Sequence, residues 1–449
     1  MLPLSPTAHA AGDPAGRGLR GSSTSIHAKG SPVPRTSELA VRSPLAARPG
    51  APRALDAVSP LPATLAGYAA FVLIGWHAVL LASLIRQIEP AFRQGDAGFG
   101  VLYLCLALAY AAGALGGGFL TERLGRRPVL AAGAAVLGAG LLGEAAAPSW
   151  GLVLAGGALA GWGAGTLDGG VNALFLALHR DRSGGALTRL HLFYSLGALA
   201  APLLLGLLVS RGLPWRGLLA GTGVAALPVA LGIFRAPMPS GTTREAPASP
   251  LAGGSPRAGE RSLLPFALLA LAIGLYVAGQ TGISNWLVRY LSSATVGQAT
   301  GVLSGFWAGL AAGRLVASSL VERLPYAAFT ASCAAGTGLF LALAVACPWF
   351  WGKAVLLVLS GFFSGPVFPM IMAMGGDIYP TRLARLSGAI AASAVAGSVV
   401  YPPLMGQMAS RIGLRGGLLG AAALALPCAV AVLLAARLAL RARSAAPAP

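Results

Sequence analysis

The chain has 449 residues and a formal charge of +19, yet only 10% of its residues are charged and 56% are hydrophobic. A water-soluble domain carries about 25% charged residues, so a single soluble globular fold is excluded and most of this surface belongs in lipid. The arginines punctuate apolar runs and form no stripe, which argues against nucleic-acid binding. The four cysteines stand singly, without a CxxC pair or Cys/His cluster, so neither a disulfide framework nor a metal site is expected.

Residues 1–60 are rich in Pro, Ser, Ala and Arg and have no apolar run of signal-peptide length; they read as a disordered basic tail. Twelve apolar stretches follow, at about 63–86, 98–121, 128–147, 150–178, 188–210, 215–235, 263–291, 298–321, 326–347, 349–376, 383–410 and 415–440. Each is near the ~20 residues a helix needs to cross a ~30 Å hydrocarbon layer. A helix bonds its own backbone groups where lipid offers none. The expected architecture is therefore an all-α polytopic membrane protein. Two six-helix bundles, 61–235 and 263–440, are joined by a polar linker at 236–262 and followed by a short tail at 441–449. An even number of spans puts both termini on one side. Arg86, Arg93, Arg211, Arg216, Arg289, Lys353, Arg411 and Arg415 fall on the opposite side, and basic residues are denser on the terminus side. Tails and linker are thus expected in the cytoplasm, and the protein in the inner (cytoplasmic) membrane.

The two halves repeat one another at a constant offset. Ala111-Ala112-Gly113 recurs as Ala311-Ala312-Gly313, Glu122-Arg123-Leu124 as Glu322-Arg323-Leu324, and Gly161 and Gly165 as Gly361 and Gly365. Gly197, Pro202, Leu204 and Gly206 recur as Gly397, Pro402, Leu404 and Gly406. Parallel duplication of a helical bundle is the pattern of a two-halved transporter.

Polar residues inside the spans are the candidate site. In the first span, Trp76 and His77 lie mid-membrane; His77 either contacts a solute or bonds between helices. Asp168 is the acid set apart from tails, loops and helix ends. It lies 11 residues before the expected end of the fourth span near His179, or roughly 16 Å deep. An ionised carboxylate is costly at that depth, so its protonation responds to its surroundings, which is what proton coupling requires. The plainer alternative is a structural carboxyl paired to another helix. Asn172 is one turn later on the same face. In the seventh span, Gln280, Asn285 and Trp286 offer amides and a stacking plate suited to a sugar-like solute, or serve as interhelix bonds. Arg314, in the eighth span, is expected to face the bundle interior or a wet cavity, with Asp168 as one conceivable partner.

The loop after the second span reads Gly118-Phe-Leu-Thr-Glu122-Arg123-Leu-Gly125-Arg126-Arg127. It resembles the signature of the major facilitator superfamily, with Glu122 where an Asp is more usual. The resemblance implies a charged latch that meets helix ends when the cytoplasmic side is shut. The second copy, Glu322-Arg323-Leu324-Pro325, is degenerate. Within the superfamily the chain looks like the fucose/galactose/glucose–proton symporter branch, the fucose permease relatives. The segments that carry this are Gly163-Ala-Gly165-Thr-Leu-Asp168-Gly-Gly-Val-Asn172, Arg189-Leu-His191-Leu-Phe193-Tyr-Ser-Leu-Gly197, Tyr276-Val-Ala-Gly279-Gln280, Phe306-Trp307-Ala-Gly309-Leu-Ala-Ala-Gly313-Arg314 and Gly365-Pro366-Val-Phe368-Pro369. Asp168 falls where that branch has a membrane-embedded Glu required in proton-coupled sugar transport. Two positions depart from it: Ala82 stands where the fucose permease has an Asp, and Gln280 where a Glu is frequent.

The resemblance implies alternating access about a midplane site. The expected protein is a monomeric secondary transporter of a small polar solute and protons, acting in the lipid bilayer, without cofactor or enzymatic activity. Proton-driven efflux of a drug or secondary metabolite is the alternative. It is weakened because Ala201, not Gly, precedes Pro202 in the fifth span.

Overall fold

The computed structural model describes residues 61–179, 183–238, 263–320, 324–379 and 383–444. The expected basic tail and most of the linker lie outside the described residues. The described elements are helices: α1 (Leu61–Phe92), α2 (Asp96–Leu124), α3 (Arg126–Ala146), α4 (Trp150–Leu178), α5 (Ser183–Ser210), α6 (Trp215–Arg235), α7 (Leu264–Tyr290), α8 (Val296–Leu320), α9 (Tyr326–Ala346), α10 (Phe350–Ser364), α11 (Val367–Ile378) and α12 (Leu383–Ser444).

Two features differ from twelve simple rods. The tenth span is broken into α10 and α11 at Gly365-Pro366. Proline lacks the N–H that an α-helix would offer to the carbonyl four residues earlier, so Pro366 orphans the carbonyl of Phe362 and Pro369 that of Gly365. The Gly365 amide is shared between Gly361 O at 3.1 Å and Phe362 O at 3.3 Å. Conversely, α12 runs for 62 residues, roughly 90 Å if straight and too long for one crossing. Gly413, at φ 75° and ψ 162°, folds it back into two arms, 383–412 and 414–444. Only glycine enters that region of backbone space without strain. Ten described segments are long and apolar enough to cross a membrane, α10 and α11 together counting as one. With α8, which carries Arg314, and the second arm of α12, they match the twelve stretches.

The helix partners are the same in each half. In the first, α1 packs on α5, α2 and α3 on α4, and α3 on α6. In the second, α7 packs on α12, α8 and α9 on α10, and α9 on α12. The repeat reaches the level of single atoms. A Cβ added at Gly161 or Gly165 would overlap the carbonyl of Leu106 or Tyr110. One added at Gly361 or Gly365 would overlap that of Phe306 or Leu310, each residue shifted by the same 200 positions. Likewise Gly113 abuts Trp162 and Gly313 abuts Phe362. Small residues let backbones touch where lipid provides no hydrophobic drive between helices.

The halves meet through α2 with α12, α5 with α8, and α1 with α7. Among the described residues, most polar bonds across this junction gather at the helix ends opposite the termini, while α5 and α8 are joined further along by Ser304 donating to the Leu199 carbonyl at 2.8 Å and by Arg314 donating to Ser195. Arg289 Nε of α7 reaches Glu89 Oε2 of α1 at 2.8 Å and Asp96 Oδ1 of α2 at 3.2 Å. Arg86 donates to the carbonyls of Ala294 (2.8 Å) and Ser292 (3.1 Å), and the Tyr103 hydroxyl to the carbonyl of Asn285 at 3.0 Å. Gly206 lies directly on Thr300, and Gly100 on Pro403 and Gly406. Toward the termini, α2 faces open space at Gly116 and Gly118. The described junction is therefore closed on the far side.

Gly165→Val and Gly365→Val should each lower stability by about 1–3 kcal/mol, since a rigid carbonyl blocks the new side chain. Gly118→Ala should not lower stability and should raise it by up to about 1 kcal/mol, because its methyl group meets nothing within 4 Å and alanine favours the helix; thermal unfolding in detergent checks both. In a cysteine-free background, Arg289→Gln should raise labelling of a Thr300→Cys reporter by a membrane-impermeant thiol reagent. Unchanged labelling would show that the Arg289 ion pairs do not hold this end shut.

Candidate functional site

Asp168 sits on a glycine-rich stretch of α4, and that stretch determines what reaches it. Gly165 and Gly169 let α2 lie against α4 at Tyr110 and Ala114. This close approach brings the Tyr110 hydroxyl to Asp168 Oδ2, to which it donates at 2.6 Å. Asn172, one turn later, donates from Nδ2 to Asp168 Oδ1 at 3.0 Å and to the Asp168 backbone carbonyl at 2.9 Å. Both carboxyl oxygens are thus hydrogen-bonded, and the group remains half-buried, not sealed.

The α5 helix supplies the next layer. His191 and Tyr194 are each near enough to feel both Asp168 and Arg314. His191 is exposed to solvent while its ring meets Phe71 of α1 edge-on at 5.4 Å. Tyr194 packs on Trp307 of α8 at 5.9 Å. Arg314 is half-buried and lies at the junction of the two halves. Its Nε donates to the orphaned Gly365 carbonyl, and one terminal nitrogen to Ser195 Oγ of α5, both at 3.3 Å. The Tyr276 hydroxyl of α7 lies close to Arg314 and receives a bond from Ser364 Oγ at 3.2 Å. Among the described residues no ion pair joins Arg314 to Asp168.

The other expected site residues divide. Gln280 is half-buried, shares the Tyr276–Ser284 face of α7, and makes no hydrogen bond among the described residues. Ser284 accepts from Trp307 Nε1 at 3.1 Å. Trp286 lies elsewhere: six residues at about 100° each turn it some 120° away from Gln280. It is fully buried, donates to the Pro402 carbonyl at 3.0 Å and meets Tyr103 edge-on. In this conformation it is packing at the closed end, not a stacking plate. Asn285 is at the same end. Trp76 donates to Thr222 Oγ1 of α6 at 3.3 Å, an interhelix bond. His77 is 5% exposed, and its Nε2 has no hydrogen-bond partner among the described residues.

The signature segment takes its shape from Gly125, whose φ of 87° turns the chain sharply from α2 into α3, with its amide bonded to Thr121 O. Arg123 stacks over Phe119 at 4.1 Å. Arg127 donates to the Phe234 carbonyl at the last turn of α6, where a helix end carries partial negative charge. Arg126 opens α3. The side chain of Glu122, and Glu322 and Arg323 altogether, lie outside the described residues.

Tyr110, His191, Tyr194 and Ser195 join this polar cluster, which the spacing did not reveal because each comes from a different span than its partner. Glu144 was masked by its place near the end of α3. It is 1% exposed, with both oxygens unpartnered among the described residues, beside Gly156 and Gly157 of α4. Asp168 is therefore not the one buried acid of the chain.

A sequence profile described as the Major Facilitator Superfamily matches residues 63–352. No curated protein matches the chain at a significant level. Among similar solved structures is a bacterial homolog of the human lysosomal transporter Spinster, in an inward-facing, unoccupied conformation. It has a TM-score of 0.69 and 15% identity, covering 86% of this chain and 98% of that one. The nucleoside transporter NupG gives 0.66 at 16% identity, covering 84% and 99%. The xylose transporter XylE from E. coli, partially occluded and inward open, gives 0.64 at 13% identity, covering 82% and 97%. At these identities the likeness is one of fold.

Tyr110→Phe should destabilise the protein by about 1–3 kcal/mol, the scale of a lost hydrogen bond to a carboxyl. Asp168→Asn combined with Tyr110→Phe should cost less than the two single changes added. Thermal unfolding of the four proteins closes the cycle; strict additivity would mean that the 2.6 Å bond contributes nothing.

Proposed function

The chain belongs to the major facilitator superfamily, and on that premise we propose that it is a secondary transporter coupling a small polar solute to protons, with Asp168 as the coupling carboxyl. One observation carries this reading. Asp168 is hydrogen-bonded by Tyr110 and Asn172 yet half-exposed, beside His191 and near the Arg314 junction. A carboxyl so placed can exchange a proton with water and shift its hydrogen bonds as the halves rock. The transport cycle is alternating access. Dense basic residues assign the terminus side to the cytoplasm, so closure at Arg289, Glu89 and Asp96 makes this the inward-facing state. The segment Gly118–Arg127, with Arg127 tied to the end of α6, serves as the latch of the opposite state, together with Glu122, Arg123 and the second-half pair Glu322 and Arg323.

The solute is bound by groups that remain available in the cleft: the Gln280 amide, Asn172, His191 and the polar junction at Arg314. Asn285 sits at the far edge of this region. A likeness to sugar and nucleoside carriers fits a solute rich in hydrogen-bonding groups. The carrier works as a monomer in the cytoplasmic membrane.

In proteoliposomes holding the wild-type protein, an imposed pH gradient should concentrate the solute. Asp168→Asn should still exchange it down its own gradient but lose accumulation. Full gradient-driven accumulation by Asp168→Asn would remove Asp168 from the coupling role.

A further inference from the structure

Arg314 is a cation placed within a membrane span, and its contacts among the described residues are neutral. They are the Gly365 carbonyl, the Ser195 hydroxyl and the Tyr276 hydroxyl. A guanidinium has five N–H donors in a planar fork, suited to two oxygens of one carboxylate or phosphate. A charge at membrane depth is costly unless it is paired or wet. Asp168 shares His191 and Tyr194 as neighbours with Arg314, and its two oxygens already accept bonds from Tyr110 and Asn172. The remaining titratable groups that feel either charge are His191 and Tyr194 from α5 and Tyr276 from α7, and none of them brings a negative charge at neutral pH. Once Asp168 is protonated the cleft holds net positive charge at Arg314.

Resting on the transport reading above, we propose that the solute is an organic anion whose carboxylate, or phosphate in its singly charged form, is received by Arg314, so that one negative charge and one proton cross together without net charge. Position supports this as well as charge. Arg314 bonds to α5 in the first half and to the broken tenth span in the second. An anion seated there touches the moving junction itself, and a change in its binding is felt by both halves. Coulomb's law links the two ligands. A proton on Asp168 removes the negative charge that opposes the anion, and by reciprocity the anion favours the proton.

The test uses the full-length protein purified in detergent. Thermal shift and titration are read for matched neutral and anionic pairs: galactose with galacturonate, glycerol with glycerate, glucose with glucose 6-phosphate. At least one anionic member should bind about tenfold or more tightly than its neutral counterpart, the scale of a charged hydrogen bond. The carboxylate and phosphate arms tell which group is preferred. Arg314→Gln should remove that preference. Arg314→Lys, which keeps a donor for the Gly365 carbonyl and therefore the fold, should weaken it. In proteoliposomes the bound anion should follow a pH gradient and ignore a potassium-valinomycin potential. The proposal is overturned if no anion binds, if the neutral members bind as well, if both Arg314 variants keep wild-type affinity, or if the potential drives uptake. Anion binding through Arg314 with undiminished accumulation in Asp168→Asn would sink the coupling role and leave this proposal standing. Potential-driven uptake of a neutral solute that fails in Asp168→Asn would do the reverse.

Discussion

A carbonyl inside a hydrocarbon layer has to be bonded, and the one at Gly365 has no amide waiting for it, because residue 369 is proline. The donor comes from outside the helix, from Nε of Arg314. That single requirement splits the tenth span, fixes an arginine at mid-membrane and holds it where the two halves touch. The first half shows what happens without it. Gly165 is followed four residues later by Gly169, whose amide is intact, and Ala114 stands where the second half has Arg314. There the fourth span runs unbroken as α4. Two prolines and one arginine therefore give a duplicated scaffold its asymmetry.

The scaffold itself rests on glycine-to-backbone contact. Gly161 and Gly165 on α4 and Gly361 and Gly365 of the tenth span accept neighbouring carbonyls so closely that no side chain fits between. In water, burial of apolar side chains would hold such helices together. In lipid that term is small, and close van der Waals contact takes its place. The same closeness has a chemical consequence. It puts Tyr110 of α2 within 2.6 Å of Asp168 on α4, so the packing device also builds the carboxyl's environment.

The polar groups are distributed by depth. Arg289, Glu89, Asp96 and Arg86 lie at the closed ends opposite the termini. Asp168, His191, Tyr194 and Arg314 lie between that closure and the terminus-side ends. Ion pairs at the closed end are replaceable by water when it opens, so they suit a reversible seal. The central groups are held by hydroxyls, the Asn172 amide and a carbonyl, with no ion pair between Asp168 and Arg314 among the described residues.

Much of this was legible in the chain alone. Twelve apolar stretches, a constant offset of 200 residues and a mid-span Asp168 and Arg314 follow from residue order, because span length, repeat spacing and depth along a helix are one-dimensional quantities. The break at Gly365-Pro366 was not read from the chain, where residues 349–376 stand as one apolar stretch; it appeared with the helices. Which side of each helix faces which neighbour is not one-dimensional. Only packing showed that Trp286 turns away from Gln280 into the closed end, that Trp76 is tied to α6, that Tyr110 and His191 flank the site, and that Glu144 is buried. Those outcomes depend on the rotation of each helix about its axis, and that rotation is set by glycines touching backbones on other spans.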